Sequence, residues 1–494
     1  MRGPVDAARD RTLRRLDERL GYADMARTAL GKVFPDHWSF MLGEIALYCF
    51  VVLVATGTFL AIFFDPSSSL KVYDGSYQPL HGEDVSSAFA STVQLSWDVR
   101  GGLLMRQVHH WAALIFIAAI TLHLCRIFFT GMFRKPRELN WTVGLTLFVA
   151  AIFTSFAGYS LPDDLLSGTG LHIFYSTLEA VPFVGGWLAY LVFGAGFPGP
   201  YIIGRLYILH VFVVPVAIAG LIGIHLAVLI RQKHSHFAGP GHRDSNVVGS
   251  RMWPSYALRS LSLFSVVAAV CFLMGGLVQI NPVWVWGEFK SSTIMSPSVA
   301  DWYIAWVEGA LRMFPPVELH FWGFTIPDQF WPAVLLPGLT FAVLYLWPFI
   351  DRRLTGDRGT HHIAAGPMSS PRRFAIGVWA IGFYSILLLA AGEELIVQLS
   401  GATIETVRDT LRVCVLVLPV VAALLAHRAA SNHVRREAAE QQEESDETER
   451  ELTESPLWIR WGPQDEDEEH DEDDVGDAES QQDEEPSTDQ SVRG

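Results

Sequence analysis

The stretch QVHHWAALIFIAAITLHLCR, Gln107–Arg126, is an apolar segment with a histidine near each end. Its length matches the roughly 20 residues that an α-helix needs to cross a bilayer. His109 and His123 are separated by about four helical turns, so in such a helix they lie on nearly the same face, about 21 Å apart along the axis. His110 is rotated by about 100° from that face. The segment therefore predicts a transmembrane helix that presents two histidines at two depths.

A second apolar segment, Tyr207–Arg231, repeats the arrangement with His210 and His225, whose separation is longer by a single position. Histidine is costly inside a bilayer unless it has a function or bonds a neighbouring helix. Hydrogen bonding between helices explains one such histidine, but two pairs at nearly matching spacing favour the ligation of two stacked haems. Two histidines fill both axial positions of a haem iron, so we expect electron transfer and no oxygen activation.

The composition is that of a polytopic membrane protein. Half of the residues are hydrophobic, 12% are aromatic, and the mean hydropathy is positive. We predict an all-α fold with eight transmembrane helices, the first four of which form a diheme bundle. A ninth apolar stretch, residues 172–197, is broken by Pro182 and is predicted to be an interfacial part of a loop. The eight predicted spans lie around residues 42–64, 107–129, 142–160, 206–230, 257–280, 330–349, 373–391 and 409–427.

The basic residues predict the orientation, because cytoplasmic loops of membrane proteins are enriched in lysine and arginine. With eight spans, their distribution places both termini in the cytoplasm and the long loops on the outer face of the cell membrane. No apolar N-terminal segment with a cleavage site is present, so we expect no removable signal peptide. Lys and Arg gather in the N-terminal segment, 131–141, 231–256, 351–373 and after 427, whereas 65–106, 161–205, 281–329 and 392–408 have few.

The net charge of −16 belongs to the C-terminal tail, because the region 437–494 is dense in Asp and Glu and has few basic side chains. Such a run predicts disorder. The four cysteines lie in apolar segments and no C-x-x-C-H motif occurs, so disulfides, clusters and covalent c-type haem are not predicted. No nucleic-acid partner is expected. The predicted domains are a cytoplasmic amphipathic segment (1–37), a haem-binding four-helix domain (38–235), a second four-helix domain (236–430) and a disordered acidic tail (431–494).

Two arginines lie one helical turn outward of the histidines in the first of these segments. Arg106 precedes His109 by one turn, and Arg126 follows His123 by one turn. A cation at either place can pair with a haem propionate. The alternative is that both side chains reach from the helix ends to the membrane surface.

Four glycines give an independent indication. Gly43 and Gly57 on the first span have the same separation as His109 and His123, and so do Gly144 and Gly158 on the third. By orientation, Gly57 and Gly158 are level with His109 and His210. The other two glycines, on the cytoplasmic side, are level with the remaining histidine pair, His123 and His225. A missing side chain lets a flat macrocycle approach the backbone. Transmembrane helices are rich in glycine, so one such pair would mean little. Two glycine pairs with the same spacing as the histidines are informative.

Several motifs resemble those of one family, the cytochrome b subunit of quinol:cytochrome c oxidoreductase (the cytochrome bc complex). The resemblance covers roughly residues 35–425. The spacing of His210 and His225 resembles the split chloroplast type, although both halves are fused here. The similar segments are HHWAALIFIAAITLHLCRIFFTGMFRKPRELNWTVG (109–144), GYSLP (Gly158–Pro162), INPVW (Ile280–Trp284) and, for the Gram-positive bacterial branch, PFIDRRLTGD (Pro348–Asp357).

The resemblance implies a Q-cycle. A quinol is oxidised near the outer face, one electron passes to an iron–sulfur protein, and the other crosses the membrane through two b-type haems to a quinone. His109 and His210 would ligate the low-potential haem, and His123 and His225 the high-potential haem. The implied partners are a Rieske iron–sulfur subunit, a cytochrome c subunit and a second copy in a homodimer, with a terminal oxidase as a further candidate. The branch favours menaquinone over ubiquinone.

The outer quinol site of the family contains a P-E-W-Y loop, whose counterpart here is ADWY, Ala300–Tyr303. The resemblance implies that Asp301 replaces the glutamate as proton acceptor and that Tyr303 belongs to the same catalytic site. Quinol oxidation requires a base within hydrogen-bond reach of the hydroxyl groups. The alternative is an interfacial aromatic pair beside a solvated aspartate, because Trp and Tyr are common at this depth.

Some positions depart from the family pattern or carry no clear signal. Asp163–Asp164 follows GYSLP where many relatives have a tryptophan. Met41 stands where the split relatives have a haem-attaching cysteine, so a third, covalent haem is not expected. No motif identifies the inner quinone site. Lys233, His234 and Asp244 lie on the cytoplasmic side, but ordinary loop charge explains them equally well.

Two other functions compete with this one. A diheme membrane anchor of a dehydrogenase would share the haem chemistry, but the ADWY loop and four additional spans argue against it. A transporter that relays protons through intramembrane histidines is the second alternative. Transporters tend to have internal repeats and broken helices, and neither is evident in this sequence.

Overall fold

Long apolar helices dominate the computed structural model, which describes residues 30–293 and 299–454 and the single residues 21, 24, 27 and 28. Within these residues, eight helices are long and apolar enough to cross a membrane, and each coincides with a predicted span. The predicted eight-helix membrane fold is therefore confirmed. The first to eighth spans are Trp38–Phe63, Gly102–Phe129, Glu138–Tyr159, Ile202–Gln232, Met252–Leu277, Trp331–Thr355, Pro371–Ala391 and Ile404–Thr453.

Several spans begin a few residues before the apolar stretch that predicted them, because the ends of the helices carry polar side chains. The second span begins after Gly101, whose left-handed backbone (φ 78°) precedes the first helical turn. The third begins at Glu138, a carboxylate that suits the positive end of the helix dipole. Hydropathy therefore locates the apolar centre of each helix better than its ends.

The connections after the first, third, fifth and seventh spans all lie at one end of the bundle, which we call the long-loop end. The stretch 172–197 lies there as parts of two helices, separated around Pro182 and too short to span a membrane. The helices between spans at this end are Ser87–Trp97, Leu165–Glu179, Gly185–Phe193, Val283–Trp286, Trp302–Met313 and Glu393–Ser400.

Strands are few and short in the described part of the chain. They form four separate two-stranded pairs in the connections and do not change the all-α class. Three pairs are antiparallel: Val33–Phe34 with Ser250–Arg251, Leu70–Val72 with Asp84–Ser86, and Leu319–Phe321 with Phe324–Ile326. The fourth, His236–Phe237 with Ile363–Ala364, is parallel.

The first and second spans pack along each other, the third packs against the fourth, and the second contacts the third. The fifth span closes on the first two through the buried residues Cys49, Ala112 and Cys271. At Gly275 a Cβ would lie 2.6 Å from Cγ2 and 2.8 Å from the backbone nitrogen of Val108. The fifth span therefore approaches the second this closely because residue 275 has no side chain.

The C-terminal region differs from the predicted disorder over residues 431–454. The last helix runs as Ile404–Glu454, well past the apolar residues. This segment is rich in Ala, Glu, Gln and Arg, which are strong helix formers, and Gln442 bonds Asp446 one turn later (2.9 Å). By contacts, the chain divides into two compact units after Val434. Residues 455–494 of the predicted tail and most of the predicted amphipathic segment (1–37) lie outside the described residues.

Candidate functional site

The imidazoles of His109 and His210, here called the 109/210 pair, face each other near the long-loop end. Their ring centroids are 6.0 Å apart and their planes make an angle of 76°. Metal–imidazole bonds are roughly 2 Å long, so two rings on opposite sides of one metal have centroids about 6 Å apart. The structure thus brings together two histidines, from the second and fourth spans, at a separation that suits one shared metal ion.

His210 lies in a π-helical segment, Leu209–Val213, within the fourth span. A π-turn accommodates a single extra residue, and such turns are frequent at functional sites. The spacing from His210 to His225 is one residue longer than the spacing from His109 to His123. The π-turn takes up this extra residue, so the two histidines of each helix still lie on one face. Sequence reasoning missed this turn, although the unequal spacing was its signal.

Neighbouring residues fix the ring orientation of the 109/210 pair. Nδ1 of His210 is 2.7 Å from the carbonyl oxygen of Thr154, which can only accept, so Nδ1 carries the proton. Nδ1 of His109 is 2.9 Å from the hydroxyl of Thr56, which itself donates to a backbone carbonyl. In both rings Nε2 is therefore the free nitrogen. Bonds of this kind commonly orient the histidine ligands of metals.

The second histidine pair, the 123/225 pair (His123 and His225), lies toward the opposite end of the same two spans. The two side chains are close enough to interact electrostatically. Nδ1 of His123 is buried and has no hydrogen-bond partner among the described residues. This pair is therefore less constrained by its protein surroundings than the 109/210 pair.

Each of the four predicted glycines lies against the imidazole with which it was matched by depth. By contrast, a Cβ at Gly220 or Gly223, also in the fourth span, would meet no atom within 4 Å. The predicted glycines thus border the histidine pairs, and side chains there would compete for the same space. A Cβ would lie 3.4 Å from Cε1 of His123 at Gly43, 3.1 Å from Cε1 of His109 at Gly57, 3.2 Å from Cε1 of His225 at Gly144, and 2.7 Å from Nε2 of His210 at Gly158.

Both predicted arginines have buried N–H groups without partners in the described part of the chain. These are Nε of Arg106, and Nε and Nη1 of Arg126. Nη2 of Arg106 donates to the carbonyl of Asn281 (2.8 Å), and the guanidinium of Arg126 lies 4.3 Å from the ring centre of Phe40. Buried polar groups are nearly always bonded. The unpaired donors therefore fit an anionic group, such as a haem propionate, beside each histidine pair.

Asp301 directly precedes the helix Trp302–Met313, and its carboxylate contacts the side chains of His110 and Tyr303. Nε2 of His110 lies 3.1 and 3.0 Å from the two carboxylate oxygens, and the Tyr303 hydroxyl donates to Oδ2 (3.3 Å). Burial, aided by Asp301, raises the pKa of Tyr303 well above its usual value, so this hydroxyl stays a donor. Sequence reasoning assigned His110 no role; nothing in the spacing indicates which loop it meets.

The Asp301 group and the 109/210 pair line one continuous cavity. Its wall includes His109, His210, Asp301 and Tyr303, and most of the remaining lining is apolar. A flat, largely apolar molecule that enters this cavity can therefore contact the Asp301 carboxylate next to the 109/210 pair. The cavity lies at the long-loop end, as the predicted outer site requires.

The acidic pair Asp163–Asp164 also lies at the long-loop end. Asp163 has a left-handed backbone (φ 55°), and burial together with the charges of Glu288 and Asp164 raises its pKa to about 6. Asp164 is fully buried, and burial raises its pKa to about 6 although the nearby charge of Arg106 acts in the opposite direction. Both carboxyl groups therefore have a pKa of about 6, and Asp164 is the one that lies near Arg106.

The three residues on the predicted cytoplasmic side, Lys233, His234 and Asp244, have different partners. The ammonium group of Lys233 donates to the carbonyl of Ser245 (3.1 Å), and Asp244 accepts two backbone N–H groups, which lower its pKa. His234 packs against Phe34, and burial and nearby cations lower its pKa to about 4. Loop bonding thus explains Lys233 and Asp244.

Comparisons with known proteins agree with this architecture. The family described as cytochrome b (N-terminal)/b6/petB matches residues 114–287. The cytochrome bc1 complex cytochrome b subunit of Mycobacterium tuberculosis is 47% identical over 414 residues, 84% of this chain and 75% of that protein. The subunits of the same name from Corynebacterium diphtheriae and Streptomyces coelicolor are 44% and 41% identical, over 84% and 85% of this chain and 76% and 77% of those proteins.

A solved structure described as hyperthermophilic respiratory Complex III shares the fold, with a TM-score of 0.61 at 19% identity, covering 83% of this chain and 98% of that one. The resemblance drawn from the motifs is confirmed by these relatives. Sequence identities of 41% and 47% over more than four-fifths of the chain show that it belongs to the actinobacterial type of the cytochrome b subunits of the cytochrome bc1 complex.

Proposed function

We propose that this chain carries two non-covalent b-type haems, one between His109 and His210 and one between His123 and His225, and that it oxidises a quinol beside the first. The observation that carries the proposal is the coincidence of four histidines and four glycines at two levels of one helix bundle. When bound, the haems supply reversible one-electron transfer through iron. Neither the dehydrogenase anchor nor the transporter is favoured by the relatives.

The protein orients, shields and balances the charge of these groups. The bonds of Nδ1 in His109 and His210 direct Nε2 toward the space between the rings. The largely apolar cavity wall excludes water from that space. Arg106 and Arg126 have buried, unpaired N–H groups that would bind the propionates and would hold positive charge close to each haem. One histidine from each of two spans would hold each haem, and such a pair of ligands would suit electron transfer.

Asp301 is the proposed proton acceptor for the quinol. A quinol hydroxyl that enters the cavity can donate to the carboxylate that His110 and Tyr303 hold in place. An acceptor within hydrogen-bond reach lowers the barrier, because electrons leave the quinol more easily as its protons are removed. Tyr303 remains protonated and serves as a donor at the same site.

Orientation and partners follow from charge and composition. The clusters of Lys and Arg favour an orientation with both termini and the 123/225 pair toward the cytoplasm and the Asp301 cavity toward the outer face. The sequence has no C-x-x-C-H motif. We therefore propose a Rieske iron–sulfur subunit and a cytochrome c subunit as electron acceptors, in a homodimeric quinol–cytochrome c reductase that translocates protons. Menaquinone is the proposed quinone, and a terminal oxidase is a further candidate partner.

Haem content and difference spectra of the purified complex test the proposal. The b-type bands should correspond to two haems per chain, released by acid extraction because they are not covalently attached. His123→Leu should remove the haem of the 123/225 pair and leave most of the other, whereas His110→Leu, as the matched control, should leave both. Retention of both haems in His123→Leu, or loss of one in His110→Leu, would refute the ligand assignment.

A further inference from the structure

The backbone just before the proposed proton acceptor is tied to a glutamate on the following helix. The N–H of Ala300 donates to Oε2 of Glu308 (3.0 Å). The carbonyl of Asp301 accepts from the N–H groups of Ile304 and Ala305, each at 3.0 Å. The main chain at residues 300 and 301 is therefore bonded to the helix that follows. Of these three bonds, the one from Ala300 to Glu308 is the bond that involves a side chain.

Glu308 is in turn held by a buried network of charges. Its Oε1 accepts from Nη2 of Arg312 (2.8 Å), and Arg312 also pairs with Glu394 and with Glu393 (3.5 Å). Arg408 on the last span pairs with Glu393 at 2.7 Å. The side chains of Glu308 and Glu393 are only 12% and 2% exposed. Charges so deeply buried are stable only in well-formed pairs, so Glu308 cannot turn away from Ala300 without cost.

Glu308 is not among the residues that line the cavity, whereas Asp301, His110 and Tyr303 are. Any effect of Glu308 on the quinol must therefore pass through the residues that do line it. We infer that Glu308 is a positioning residue: its bond to Ala300 sets where the Asp301 carboxylate stands relative to the quinol. The inference rests on the proposed role of Asp301.

Two substitutions separate the bond from the charge. Glu308→Ala removes the acceptor of the Ala300 N–H, and a displacement of about 1 Å at a reacting group can cost about 100-fold in rate. We expect a loss of quinol–cytochrome c reductase kcat/KM of roughly 10- to 100-fold. Glu308→Gln keeps a side-chain oxygen for Ala300 and should retain most of the activity. Both haem spectra should be unchanged in each variant of the purified complex.

Asp409→Ala is the matched control, because it removes a carboxylate that also pairs with an arginine (Arg412, 3.0 Å) but is largely exposed. It should leave kcat/KM unchanged. In an Asp301→Asn background, Glu308→Ala should cause little further loss, because a positioning residue acts only through the group that it positions.

Four outcomes would overturn the inference. The first is normal turnover in Glu308→Ala when turnover in Asp301→Asn is slow. A lower yield of the Glu308→Ala complex with normal kcat/KM per haem would also overturn the inference, because it would show that Glu308 only stabilises the fold. Another is an equal loss from Glu308→Ala in both backgrounds, which would indicate a separate action. If Asp301→Asn itself turns over normally, the proposed role of Asp301 fails and the inference fails with it.

Discussion

Gly158→Ala should displace the haem proposed for the 109/210 pair. A Cβ at this position would lie 2.7 Å from Nε2 and 2.8 Å from Nδ1 of His210, whereas ordinary contacts begin at 3.4 Å. The ring must therefore retreat by at least about 0.7 Å, and the bond from Nδ1 to the carbonyl of Thr154 (2.7 Å) holds it against such a movement.

The magnitude follows from these two contacts. Forcing a methyl group into a packed site costs roughly 1–3 kcal/mol, and loss of the Nδ1 bond costs about 1 kcal/mol more. A total of roughly 2–4 kcal/mol corresponds to about 30- to 1,000-fold weaker haem binding. Gly144→Ala, where the nearest atom of His225 is at 3.2 Å, should have a milder effect on the other haem.

The assay is haem content per chain together with the reduced-minus-oxidised spectrum of the purified complex. Gly158→Ala should lose the spectral component of one haem and retain the other. Gly220→Ala and Gly223→Ala are the controls, because they add the same methyl group to the fourth span where no atom lies within 4 Å. Full retention of both haems in Gly158→Ala, or equal losses in the controls, would refute the proposed haem position.

Three further predictions concern the surroundings of the two sites. His110→Leu should slow quinol oxidation roughly tenfold with both haems retained, because it removes a donor to a carboxylate; normal steady-state turnover would contradict this. Arg126→Gln should lower the midpoint potential of the haem at the 123/225 pair in a redox titration, because a nearby cation favours the reduced state; an unchanged potential would exclude the contact. The pKa of Asp164 is about 6 in the folded protein and 3.8 in the unfolded chain, so between these values only the folded protein keeps the proton. The free energy of unfolding therefore falls as the pH rises through this window and is constant above it. Asp164→Asn should therefore remove this dependence and gain up to about 3 kcal/mol at pH 7, which thermal unfolding across that window measures; an unaltered pH profile would count against it.

The sequence predicted the features that depend on periodicity along one chain segment. Apolar length located the eight spans, and a spacing of four helical turns selected His109 and His123 while excluding His110. The same spacing selected the glycines. These predictions needed no knowledge of tertiary contacts, because an α-helix fixes which side chains share a face.

The remaining features depend on contacts between distant segments or on local departures from the α-helix. The bonds from His110 to Asp301 and from Glu308 to Ala300 arise only when helices and loops have packed. The π-turn at His210 changes the register of a helix whose composition is ordinary. The helix past residue 430 was missed because like charge predicts disorder, whereas strong helix formers extend a helix that has already formed.

Electron paramagnetic resonance of the oxidised complex tests the central claim most directly, because it reports the axial ligands of each ferric haem. If His109 and His210 ligate one iron and His123 and His225 the other, the spectrum should contain two low-spin ferric b-type signals and no stoichiometric high-spin signal. His210→Leu should abolish one of the two and leave the other unchanged. A high-spin haem in the unmodified complex, or two unaltered low-spin signals in His210→Leu, would contradict the account.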